Sequence, residues 1–126
     1  MSKPKTIFIW VLQILLVALF LMASFTQLTS KPEAVEMFRN YGYPDHFYLL
    51  IGALELLGAI LLLIPKLAAY GASALVVNMI GASLTHLLND EAPRVLVTGT
   101  LMILLAVTAY VRRPEFIRKR QKTVAP

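Results

Sequence analysis

Glu55 is the one acidic or basic residue inside four long apolar stretches of the chain, residues 7–25, 47–64, 67–88 and 95–111. If the second stretch is a helix, Glu55 lies about 12 Å from its start. A charge at that depth in a bilayer costs roughly 2.5–3.5 kcal/mol or more. A carboxyl group there must either find partners or hold its proton. Asn78 sits about 16 Å into the third stretch, and the short Pro65-Lys66 connection forces stretches two and three together. Asn78 is therefore the expected partner of a protonated Glu55. A protonated acid both donates and accepts, which suits an amide or a ligand carbonyl. Two readings stay open: a buried polar clasp between helices, or an acid that anchors a ligand or carries a proton.

Other polar residues gather toward the same end. Ser24, Thr85, His86, Thr98 and Thr100 all fall in one half of their stretches, and Gln27 lies just past the same end of the first. On helical spacing, Ala74, Asn78, Ala82 and His86 form one face, and Gly52, Glu55 and Ala59 another. Convergence of these faces makes a cavity with a polar mouth. Its candidate ligand-binding residues are Glu55, Asn78, His86, Gln27, Thr98 and Ser24; no catalytic residue is assigned. His86 alone reads as a histidine bonded to a neighbour. With one such histidine, no cysteine and one buried acid, no metal site is expected. The absence of cysteine also removes disulfides, thiolate catalysis and cysteine-ligated clusters. No phosphate-binding loop, dinucleotide fingerprint or serine nucleophile elbow occurs.

The elements that position these residues follow from composition. Of the 126 residues, 58% are hydrophobic and 15% charged, and the mean hydropathy is +0.70. A soluble domain carries about 25% charged residues. Each apolar stretch approaches the roughly 20 residues that a helix needs to cross a bilayer. None shows the alternation of a barrel strand. The expected fold is all-α: one transmembrane domain over residues 1–126, a four-helix bundle with spans near 7–28, 47–64, 67–88 and 95–111. The first stretch is too long for a secretory signal core and lacks a good cleavage pattern, so it reads as a retained span. Gln13, nearer the other end of that span, is expected to bond between helices.

Between spans one and two lies Ser30-Lys31-Pro32-Glu33, a capping-box pattern with proline in the first turn. Val35, Phe38 and Tyr41 then share a face, and Gly42 supplies a C-terminal cap. The expectation is a short interfacial helix on the outer surface, with Phe38 turned toward the membrane or bundle.

The net charge is +5. Four spans put nine basic residues on the side of the termini and Lys66, against Lys31, Arg39 and Arg94 on the other. The positive-inside rule makes both termini cytoplasmic. The basic tail, residues 112–126, then faces anionic lipid head groups rather than nucleic acid. The expected location is a bacterial inner (plasma) membrane, with a protein partner or a homo-oligomer as further company for the lipid bilayer.

Several short segments, in order, resemble the DoxX-like family. They are Gly42-x-Pro44, the run from Gly52 through Glu55 to Ala59, Leu61-Leu62-Leu63 with Pro65, Tyr70-Gly71-Ala72, Gly81-Ala82 and His86. The family's first span often ends in glycine, lysine and leucine; here Ser24 stands for the glycine and Gln27 for the lysine. The resemblance implies a four-helix membrane bundle. Some relatives are linked to quinone-dependent sulfur oxidation or membrane oxidoreductase complexes, and distant animal relatives look like assembly chaperones. Three functions follow: a redox-linked membrane subunit binding a quinone or similar lipophile, a non-enzymatic assembly factor or scaffold, or a small-molecule transporter.

Overall fold

Long apolar segments free of interior proline have one good way to satisfy their backbone groups, and the computed structural model shows them as helices. It describes residues 2–114, 117, 119 and 120. The helices are α1 (Lys3–Leu28), α2 (Pro32–Asn40), α3 (Phe47–Leu62), α4 (Ala68–Leu88) and α5 (Ala92–Val111), and no strand occurs among the described residues. Most of the basic tail lies outside the described residues.

Three helices, α1, α4 and α5, are long and apolar enough to cross a membrane. The ends of the helices differ from the apolar stretches for local reasons. α1 starts at Lys3 and α5 at Ala92, because Pro4 and Pro93 fall in first turns, where the missing N–H costs nothing. α3 stops at Leu62, ahead of Pro65. A residue before proline avoids the helical region, so the last apolar residues turn instead. That leaves α3 with 16 residues, about 24 Å.

α1 packs against α3, α3 against α4 and α4 against α5, with a thinner seam between α5 and α1. The start of α1, the end of α5 and the α3–α4 turn share one end; α2 and the α4–α5 turn share the other. The core fills the first end: Leu12, Leu16 and Phe20 of α1, Ala59 and Leu62 of α3, Ala72, Leu75 and Met79 of α4, and Leu105 of α5. α3 and α4 touch closely there. A Cβ added at Gly71 would lie 2.7 Å from the Leu61 Cβ and 2.8 Å from the Gly58 carbonyl oxygen. Gln13 ties this end together: its amide donates to the Leu62 carbonyl at 2.7 Å and accepts from Arg112 Nε at 2.8 Å. Arg112 also lies over the Trp10 ring.

The helix ends beside α2 close alike. Ser30, Gly42 and Asp90 are left-handed, at φ 54°, 87° and 56°. The next N–H reaches back each time: Lys31 to Thr26, Tyr43 to Phe38 and Glu91 to His86, at 2.9–3.2 Å. These are Schellman closures, and a proline soon follows each. They also correct the capping-box expectation. Ser30 ends α1 rather than capping α2, whose N-cap is Lys31, and the Ser30 hydroxyl pairs with the Tyr48 hydroxyl at 3.0 Å.

Candidate functional site

Toward the α2 end the facing side chains shrink to Ala23, Gly81 and Ala82, and a cavity of about 390 Å³ opens among α1, α3, α4 and α5, beneath α2. Its walls are mainly apolar, from Phe20, Ile51, Leu54, Met79 and Leu101 among others. Leu19 and Val77 line it and are also exposed on the flank, so the cavity reaches the apolar outer surface. Phe38, Tyr43 and Phe47 form an aromatic cover, with Tyr43 stacked on Phe47 at 4.8 Å.

The cavity brings together Gln27, Glu55, Asn78, His86 and Thr98. Glu55 is 4% exposed; no side-chain hydrogen bond to it occurs among the described residues, and the Gln27 amide stands near its carboxyl. Gly52, one turn earlier on α3, permits this: a Cβ there would lie 3.0 Å from the Gln27 Cβ. Asn78 lines the cavity without a hydrogen bond to Glu55 among the described residues. The expected Glu55–Asn78 hydrogen bond is thus not formed, and Gln27 of α1, which approaches α3 closely at Gly52, is the amide nearer the carboxyl. Gln27 is itself 8% exposed. Its Oε1 has no hydrogen-bond partner among the described residues.

Ser24 stands apart from the other candidates. It is buried, but its hydroxyl donates to the Leu21 carbonyl of its own helix at 3.1 Å, and it does not line the cavity. Thr98 faces in and shares a hydrogen bond with Ser83 at 2.7 Å. Thr100 donates to Leu96 within α5.

A polar cluster closes the mouth. The Tyr41 hydroxyl donates to Glu91 Oε1 at 2.7 Å, and His86 Nδ1 lies 3.1 Å from the same oxygen. Arg94 Nε is 3.5 Å from Glu91 Oε2, and Arg94 Nη1 is 3.4 Å from both the Tyr41 oxygen and the Met37 sulfur. Tyr43 and Thr85 pair through their hydroxyls. The cluster therefore fastens α2 to α4 and α5. The Tyr41 hydroxyl, then His86, hold the Glu91 carboxyl below the ordinary carboxylate range. Burial, then Glu91, push the Tyr41 phenol up. Tyr41, Tyr43, Glu91 and Arg94 escape a reading of the apolar spans because they stand in the connections. The hint is local: Tyr41 and Tyr43 flank the left-handed Gly42, which turns both toward the bundle.

The model of the DoxX-like family matches residues 11–108, and the chain belongs to that family. No curated protein and no solved structure matches it. Family membership and the three long apolar helices make it an integral membrane protein in contact with lipid.

Proposed function

We propose that this DoxX-like protein is a four-span bundle of the bacterial plasma membrane that binds one quinone-type lipophile beneath α2 and serves as the membrane subunit of a redox complex. Both termini are cytoplasmic, the basic tail meets anionic head groups, and α2 lies along the outer interface. One observation carries the reading: an apolar cavity that reaches the flank and is lined by the buried Glu55 carboxyl and the Gln27 and Asn78 amides. Such a shape accepts an apolar ring from the bilayer and orients its oxygens by few polar groups. Glu55, Gln27 and Asn78 meet the head, while Tyr41, His86 and Thr98 stand toward the mouth. The α3 helix, short for a 30 Å core, spans by local thinning or with its flanking residues. Electrons come from a partner protein or a bound redox group, since a cysteine-free chain supplies no thiol chemistry. The test is a titration of decylquinone into the protein in lipid nanodiscs. One saturable site per chain is expected; uptake equal to that of empty discs contradicts the reading.

A further inference from the structure

The cavity is closed along the bundle axis in both directions. Toward the termini, Leu16, Phe20, Leu75 and Leu105 are buried in the packed core. Toward α2, Tyr41 and Arg94 are tied to Glu91, and Tyr43 to Thr85. A ligand longer than a ring must leave sideways. Two lining residues mark where it could: Val77 of α4 is 67% exposed and Leu19 of α1 is 43% exposed. They stand on different flanks, because α1 and α4 each pack on α3 and α5 and not on one another. Val77 adjoins Asn78, which lies seven residues on from Gly71 and shares its side of α4, the side that meets Leu61 of α3. Leu19 shares with Ala23 the side of α1 turned away from Leu28, which meets Gly52 of α3. That side faces α5.

The two flanks differ in chemistry. The α3–α4 side presents Asn78, Thr85 and Tyr43. The α1–α5 side presents Leu19, Phe20, Ala23 and Leu101, an apolar wall, and Thr98 nearer α2 is turned to Ser83. The α1–α5 seam is also the thinner one. A hydrocarbon chain laid against amides and hydroxyls leaves them without partners, whereas an apolar wall costs it nothing. We propose, resting on the cavity reading above, that the α1–α5 seam is a chain subsite. The ligand it selects is a polar head carrying one long apolar chain. The head stays among Glu55 and Asn78, and the chain passes between Leu19 and Leu101 into the bilayer.

The experiment titrates two probes into the full chain in nanodiscs: decylquinone and the chainless tetramethylquinone. Leu19 stands between the cavity and the lipid, so Leu19→Trp narrows the seam without entering the core. It should weaken decylquinone relative to tetramethylquinone by about tenfold. Ile14→Trp, exposed on α1 away from the cavity, should keep the wild-type ratio. An unchanged ratio in Leu19→Trp, or the same change in Ile14→Trp, overturns this inference and leaves the cavity reading standing. Saturable binding of neither probe to the wild type overturns the cavity reading itself. A second measurement uses decylquinone with a nitroxide at its chain end and a spin label at Met22 of α1 or Leu84 of α4, both exposed outside the cavity. The chain end should lie nearer Met22. An end nearer Leu84 overturns the inference, even where Leu19→Trp fails to fold or tetramethylquinone binds too weakly to measure.

Discussion

Glu55 and Gln27 are buried near one another in the wall of the cavity. Glu55→Gln keeps the shape and the hydrogen-bonding capacity, so it should leave the melting temperature nearly unchanged. Glu55→Leu strands the Gln27 amide and should cost on the order of 1–3 kcal/mol. Chemical unfolding in detergent checks both; a Glu55→Leu variant as stable as Glu55→Gln would show that the pair contributes nothing. Glu55 was legible as the lone charge in the apolar stretches. Its partner was not. A short turn joins the helix of Asn78 to that of Glu55 and so points to Asn78, whereas the α1–α3 contact is hidden in the sequence by the intervening α2. The trace that remains in the sequence is Gly52, whose missing side chain lets Gln27 approach. Ser24 misled for a related reason: a serine in an apolar helix can spend its hydroxyl on its own backbone, as this one does.

The helix α2 is held by its ends and by the Tyr41–His86–Glu91–Arg94 cluster rather than by wide burial, since only Ala34 of its residues is buried. Its presence between Pro32 and Gly42 could be read from local code, but its start could not, because Ser30 serves α1. The Glu91 carboxyl is held below the ordinary carboxylate range by the Tyr41 hydroxyl and His86. A lowered folded value means that the fastening is complete above the ordinary carboxylate range and is lost as pH falls through the lowered value. The native chain has no cysteine, so spin labels at Glu36 and Leu96 can report the distance from α2 to α5. A narrow distribution is expected at neutral pH, broadening in strong acid. Glu91→Ala should broaden it at neutral pH. Equal widths throughout would remove the cluster from any role in holding α2.

For the whole molecule, the close-packed end and the hollow end divide the labour. Gly58, Gly71 and the Gln13 clasp make one end rigid, and the small residues Ala23, Gly81 and Ala82 leave the other open. The all-helical class and the adjacency of α3 with α4 followed from hydropathy and a short turn. The cavity did not, because a small residue in a membrane helix reads as close packing whether it meets a neighbour, as Gly71 does, or open space, as Gly81 does. The proposed orientation rests on the basic asymmetry: a cysteine at Asp90 should label from the outside, and labelling only from the cytoplasm would reverse the topology. The central claim is that the lipophile occupies this cavity. Gly81 lines it, and a Cβ there meets nothing within 4 Å, so Gly81→Leu fills the space without disturbing the packing. In the nanodisc titration, Gly81→Leu should keep the wild-type melting temperature and lose the saturable decylquinone site; a variant that binds as tightly as wild type would place the ligand elsewhere and contradict the account.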